Sequence, residues 1–318
     1  MMTGSREKDA WIEKAVKAVR RTRNFEVIRL CLNSEKRLLL LFGFWNTPNE
    51  NFGTKEEWQT LVPRLRELAV GADAGRRYHA HRCLGRFAGQ DEFLAKCLEN
   101  ETDLGNIMHL VESRLPASEF DNQMNAYVLR FLADKDEKVR CDALGMISST
   151  WNPSQAEMYR VKFSGEIFAR VLELSRSTNI KERAAAVYAL DGFGPLIREI
   201  DWPSQSEKVH AIHEWRQQNA ETVRKRMIEL ARDGAEEVRQ GVAFALGNQK
   251  EREDVQPVLK KLLQDKSARV RYSTILALSY PKDYKNYIKE LKELAADPDK
   301  ETANLAAGTL KAIEREKP

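Results

Sequence analysis

Asp233-Gly-Ala-Glu-Glu-Val-Arg239, with Ala245-Leu-Gly247 six residues further on, is written again as Asp265-Lys-Ser-Ala-Arg-Val-Arg271 with Ala277-Leu-Ser279. A looser copy runs from Asp297 to Leu310. The step from Arg239 to Arg271 is 32 residues, and that from Arg271 to Ala303 is again 32. A fixed period of this size marks stacked repeats, in which no unit buries its apolar face alone. Val238, Gly241, Val242, Ala245 and Leu246 fall on one stripe of a helix. A second stripe precedes each copy: Val255, Val258, Leu259, Leu262 and Leu263, then Tyr287, Ile288, Leu291, Leu294 and Ala295. The Asp between the stripes suits a tight turn or an N-cap. The predicted unit is helix, turn, helix.

The Asp…Val-Arg…Ala-Leu-Gly pattern resembles the HEAT-like repeats of prokaryotic solenoid proteins, including the short variety of the phycobilin lyases. The resemblance implies an all-α, right-handed alpha-alpha superhelix of about seven helix pairs. It implies that the Val-Arg helix lines the concave side and that Asp and Arg form a ladder between neighbouring units. By that resemblance Asp134 goes with Arg140, Asp233 with Arg239 and Asp265 with Arg271, as architecture and not chemistry. Such folds host scaffolds, nucleic-acid binders and a few enzymes, so the likeness speaks to fold and not to function.

Outward from the repeats, the expected organisation is one repeat domain over 1–318. A helical cap occupies 1–53, repeats follow over 54–318, and expansions lie near 150–176 and 194–219. Within the cap, Trp11, Ile12, Val16, Val19, Val27, Ile28 and Leu32 alternate with Lys14, Lys17, Arg20, Arg21 and Arg23. That pattern suits a polar outer end unit, or a basic face for an acidic partner or phosphates. Thr54 with Glu57 reads as a capping box opening the next helix. Arg77 takes the repeat's arginine place, and a degenerate unit over Glu92–Leu98 and Leu104–Leu115 separates it from Arg140.

Both expansions hold nearly the same words, Trp151-Asn-Pro-Ser154-Gln-Ala-Glu157 and Trp202-Pro-Ser204-Gln-Ser-Glu207. Each Ser…Glu is a capping box behind a Pro. Two lengthened first helices, starting at Ser154 and Ser204 and covering each other, are therefore expected. Trp151 and Trp202 then staple the first turns, or stand as exposed aromatics on a rim.

Composition narrows the function. A net charge of +4 and a pI near 8.7 are mildly basic, short of a dedicated nucleic-acid binder. Cys31, Cys83, Cys97 and Cys141 form no Cys-x-x-Cys pair and read as reduced core thiols. Met1–Arg6 has no apolar core of a secretion signal, and Leu38–Phe42 is too short to span a bilayer, so a cytoplasmic protein without a membrane partner is expected.

Chemistry-bearing motifs are missing: there is no Gly-rich phosphate loop, nucleophile elbow or metal pair. His79 and His81 diverge on a helix, while Glu207, His210, His213 and Glu214 make either a metal half-site or the polar face of an amphipathic helix. Deoxyhypusine hydroxylases, of similar repeats, carry His-Glu pairs after the Arg. Here those places hold Cys141-Asp142, Ala184-Ala185, Gln240-Gly241 and Tyr272-Ser273. No lyase motif is found either. The expectation is a chain that is not an enzyme, with no cofactor, no metal and no catalytic residue.

What stands out is a line along the expected concave face: Tyr78 and Arg82, Cys141 and Gly145, Ala184 and Tyr188, Gln240 and Phe244, Tyr272 and Leu276, Asn304 and Gly308. Water-facing positions are ordinarily Lys, Glu or Gln, whereas these are aromatic, apolar or small. Either the rings tuck between repeats, or Tyr78, Arg82, Tyr188, Phe244, Tyr272 and Leu276 line a groove for a protein or peptide. The first expectation is a scaffold or adaptor. Its alternative is nucleic-acid binding, similar to HEAT-like DNA glycosylases, which set a basic concave surface, aromatics and an acid against a flipped base. Arg64, Arg66, Arg76, Arg77, Arg82 and Arg86 cluster in one unit, with Arg76, Arg77 and Arg86 free for phosphate or an acidic partner. Yet only one end is basic, and the line has no acid beside a Trp. The oligomeric state is not legible.

Overall fold

The structure, a computed structural model, describes residues 25–35, 37–49, 51–114, 117–149, 162–194, 207–278 and 285–315. Every regular element among them is helical. The chain divides into two compact units after Met124.

In the first unit, α1 (Phe25–Leu32) and α2 (Arg37–Trp45) form a hairpin ahead of the short α3 (Lys55–Gln59). Thr54 Oγ1 accepts from Glu57 N at 3.2 Å while Glu57 accepts from Thr54 N at 2.7 Å, so the capping box forms as its spacing predicts. Two helix pairs follow: α4 (Val62–Ala69) with α5 (Ala74–Leu84), and α6 (Asp91–Asn100) with α7 (Leu104–Arg114). Ile28, Leu32, Phe44, Trp58, Leu65 and Leu84 belong to one core, which seals α1 and α2 onto the first pair. The degenerate pair sits where the period demands. α8 (Ala117–Leu132) runs across the division.

The second unit carries α9 (Glu137–Ser149), α10 (Gly165–Leu174), α11 (Ile180–Phe193), α12 (Glu207–Leu230), α13 (Glu236–Gly247), α14 (Gln256–Leu263), α15 (Ala268–Leu278), α16 (Ile288–Leu294, after a 3-10 turn at Lys285–Tyr287) and α17 (Lys300–Arg315). With α8 counted as the partner of α9, the pairs from α4 to α17 number seven, the α-solenoid arrangement that the repeats predict. The second helices α9, α11, α13, α15 and α17 pack each on the next. Val238, Val242, Ala245 and Leu246 are buried as their spacing requires, as are Leu259, Leu262 and Leu263 of α14.

Close stacking needs glycine at one contact. A Cβ on Gly247 would lie 2.5 Å from Ala277 Cβ and 2.9 Å from its carbonyl oxygen, so the end of α13 meets the end of α15 only without a side chain. Just beyond, the buried Lys250 ammonium donates to Leu278 O at 2.8 Å, and the Tyr287 hydroxyl donates to Lys250 O at 2.9 Å. A cation at the carboxyl end of α15 suits the helix dipole.

The ladder exists, but its rungs run otherwise than the resemblance implies. Each arginine donates Nη1 to the carbonyl six residues before it: Arg77 to Gly71, Arg140 to Asp134, Arg183 to Ser177, Arg239 to Asp233 and Arg271 to Asp265. Its remaining fork goes forward to a carboxylate of the next unit. Arg183 grips Asp233 at 2.9 and 3.0 Å, Arg239 grips Asp265 at 2.7 and 2.8 Å, and Arg271 grips Asp297 at 2.7 and 2.7 Å. Asp233 with Arg239 and Asp265 with Arg271 are therefore joined through main chain, while the carboxylates serve the preceding arginine. Two acceptors are glutamates. Arg77 holds Glu101 at 2.9 and 2.6 Å, and Arg140 holds Glu182, which also accepts from the Ser177 hydroxyl at 2.6 Å. A second series caps the first helices: Arg64 donates to Leu32 O, Arg170 to Leu132 O and Arg226 to Ser175 O.

The expansions differ from expectation in one respect. Residues 151–161 and 201–206, with Trp151, Ser154, Trp202 and Ser204, lie outside the described residues. The first helix before Arg183, however, starts at Gly165, where Ser164 Oγ accepts from Ile167 N at 3.3 Å. Residues 162–164 are not helical, so no unbroken helix runs into it from Ser154. The 24-residue α12 is long, as expected, and its extra turns are packed. Trp215 meets Phe193 at 5.3 Å and Phe168 at 6.1 Å, and Ile212 is buried.

Candidate peptide-binding face

The ladder fixes the rotation of every second helix, and so decides what the opposite side presents. Position five after the ladder arginine holds Tyr188 in α11, Phe244 in α13 and Leu276 in α15. These are 40%, 37% and 37% exposed, among the few large apolar side chains left to water. They lie at one register on three consecutive stacked helices and make one strip. Each side chain is thus partly in water and partly packed against its neighbours. Tyr188 leans on the bare backbone of Gly241: a Cβ there would lie 3.4 Å from its Cε2 and Cζ. The neighbouring row, one after the arginine or, in α17, after Ala303 at its place, holds Ala184, Gln240, Tyr272 and Asn304. Tyr272 is half-buried, and Gln240 donates to Ser273 Oγ at 3.0 Å.

The strip has ends. The same register is Gly145 in α9 and Gly308 in α17, both exposed, and a Cβ on either would meet nothing within 4 Å. Three apolar side chains are thus bracketed by two positions with none. At a helix spacing of about 8–10 Å the three span roughly 20 Å.

One turn beyond the Tyr188–Phe244 rung sit two polar residues missing from the line read in the sequence. Asp191 follows Tyr188 by three residues and Asn248 follows Phe244 by four, so each shares its neighbour's side of the helix. The Asn248 amide lies close enough to the Asp191 carboxyl to act on it. Burial raises the Asp191 carboxyl, the nearby Arg216 charge and the Asn248 amide offset this in part, and it titrates at about 6. Arg216 is buried on α12 and turns its Nε to Gly194 O at 2.7 Å and its Nη2 to the Asp191 main-chain oxygen at 3.4 Å.

In the first unit the corresponding register holds Arg82, whose guanidinium lies 5.8 Å from the centre of the Tyr78 ring. Tyr78 also meets His79 at 5.3 Å and His109 at 5.2 Å. Burial pushes His109 down to about 4, with Arg82 and His81 adding to it. The other arginines of this cluster hold internal acceptors. Arg76 pairs with Glu35 at 3.1 Å, Arg77 is a ladder residue, Arg86 donates to Thr47 O at 3.1 Å, and Arg66 donates to Gln90 at 2.9 Å. Cys31, Cys83 and Cys97 are buried and in no disulfide, with Cys83 pushed up to about 12 by burial. Among the described residues no group of three His, Cys, Asp or Glu is placed to hold a metal ion. The side chains of Glu207, His210 and His213 lie outside the described set. No described helix is long and apolar enough to cross a membrane.

Comparison with known proteins meets this geometry at the ladder. Residues 223–311, which hold the rungs of Arg239 and Arg271, match the family model of HEAT repeats. This stretch is a run of HEAT-like repeats. No curated protein matches the chain. Among solved structures, a designed armadillo repeat protein is 17% identical, covering 79% of this chain and 99% of its own, at a TM-score of 0.38. An engineered protein from a structural genomics consortium is 18% identical, covering 80% of this chain and 96% of its own, also at 0.38. Superpositions this loose decide nothing about the site, which rests on the HEAT-like register itself.

Proposed function

We propose that this chain is a non-enzymatic scaffold or adaptor that binds a protein or peptide segment on the second-helix face of residues 180–310. Three large apolar side chains at one register, exposed to water and bracketed by glycines, carry the reading. Leaving such groups in water forgoes about 25 cal/mol for every Å² of apolar surface, and a partner that covers them recovers it. Tyr272, half-buried beside Leu276, widens the strip at one end. An aromatic anchor flanked by smaller apolar groups is the usual make-up of an interface hot spot.

The test is a phage-displayed random decapeptide library panned against the purified protein. The recovered clones are then measured on a triple variant, Tyr188→Ser, Phe244→Ser, Leu276→Ser, whose helicity is checked by circular dichroism. Enriched clones that bind the parent and not the folded variant support the reading. Clones held equally by both, or no enrichment, overturn it. Retention of a labelled DNA duplex or single strand at low salt, lost steeply as salt rises, would favour a phosphate-binding protein instead.

A further inference from the structure

The Asp191 carboxylate, on α11, differs from the three ladder aspartates of the second unit. Asp233, Asp265 and Asp297 each receive a bidentate guanidinium, and each also accepts the main-chain N–H two residues on, at 2.9, 2.8 and 2.9 Å. Asp191 has the neutral Asn248 amide beside its carboxyl in place of a guanidinium. Among the described residues no ammonium or guanidinium lies within ion-pair distance of it. The residue is partly exposed, while its carboxyl sits deep enough that burial is the largest influence on it. Asp191 thus stands one turn from Tyr188 on the same side of α11, with no cation of the described residues paired to its carboxylate.

The geometry points to Asp191 as the anchor for a basic side chain, lysine or arginine, of the bound segment, seated in the notch beside Tyr188 and Phe244 with apolar residues on either side. This rests on the strip being the binding face. A cation donating to an ionised carboxylate makes a hydrogen bond roughly twice as strong as a neutral one. The bound cation would complete for Asp191 what the ladder arginines supply to the other three. It would also draw the carboxyl toward its ionised form. The groups that act on the Asp191 carboxyl are the Arg216 guanidinium of α12 and the Asn248 amide after α13, which does not titrate. Affinity for a basic ligand therefore rises with pH through about 6 and levels off above it.

The experiment uses three dye-labelled, carboxyl-amidated peptides, Phe-Leu-X-Leu-Phe with X as Lys, Gln or Glu, titrated by fluorescence anisotropy against the full chain. The Lys peptide is expected to bind about tenfold tighter than the Gln peptide, with the Glu peptide weakest. In Asp191→Asn the Lys and Gln peptides should become equal. Equal binding of all three to the parent chain, lost in the triple serine variant, would overturn the assignment of Asp191 and leave the strip standing. Binding by none of the three would overturn both. Should Asp191→Asn not fold, the order of the three peptides on the parent chain, and a Lys-peptide affinity that rises between pH 5 and 7 while the Gln-peptide affinity stays flat, decide the matter alone.

Discussion

The turn side of the second unit and the opposite end of its helices use the same residue type to opposite effect. On the turn side, burial by itself would raise Asp233 and Asp265, but hydrogen bonds from Arg183, Arg239 and the main chain more than offset it. Asp297 is lowered first by Arg271. At the far end Asp191 meets burial with one neighbouring amide and a guanidinium that reaches only its main chain, and rises to about 6. A saturated carboxylate belongs to architecture, because nothing further can bind it. An unsaturated one beside exposed rings is a place where a ligand has something left to give.

The sharpest way to break this contrast is to cut a rung. Arg239→Met leaves Asp265 buried without its guanidinium, and should cost about 3–5 kcal/mol in urea denaturation. A loss under about 1 kcal/mol would mean that the rungs are surface pairs in disguise. Gly247→Val comes next. Its side chain has to displace Ala277, so an overpacking loss of about 1–3 kcal/mol is expected, with peptide binding at the strip retained.

Third is pH. The ladder aspartates have folded pKa values below the unfolded one, so their stabilisation is present above about 4 and is lost as pH falls through the folded values. Asp191 runs the other way. Its folded value of about 6 lies above the ordinary 3.8, so the parent chain loses stability as pH rises from about 4 to 6 and stays penalised above. Asp191→Asn should thus be more stable than the parent at pH 7, by no more than about 3 kcal/mol, with the gap closing near pH 4. A gap independent of pH would show that the substitution acts by packing instead. The smallest expected effect is on the strip. Phe244→Ala or Tyr188→Ala alone should change stability by under about 1 kcal/mol, since each ring is already partly in water. A loss several times larger in thermal melts would make these rings core.

The period, the helix pairs, the Thr54 box and the strip register were all legible, because each repeats a local rule of spacing. The partner of each arginine was not. The acceptor of Arg239 lies 26 residues on and that of Arg183 lies 50 on, distances set by the length of an intervening first helix. Glu182 was hidden for another reason: Ser177 stands at the place of the repeat's Asp, and the carboxylate has moved into α11 itself. Asp191 escaped because the line read in the sequence took only the positions one and five after each arginine, and Asp191 stands eight after Arg183. The basic cluster around Arg76 and Arg77 is conspicuous in sequence, but that Arg77 holds Glu101 and Gly71 O and that Arg76 makes an exposed pair with Glu35 follows only from the fold.

Because every rung reaches forward while its Nη1 stays at home, each unit brings one guanidinium and one carboxylate and lends the second to its predecessor. A 32-residue block copied in tandem would arrive with its own acceptor and its own donor, leaving no orphaned charge at either seam. Unequal recombination could therefore lengthen or shorten such a gene in whole units without an electrostatic penalty, while any slip by part of a unit would bury a lone ion. The strip would change with it, gaining or losing one apolar step per copy. Selection on the length of a bound segment could then act through copy number, with the ladder left unchanged.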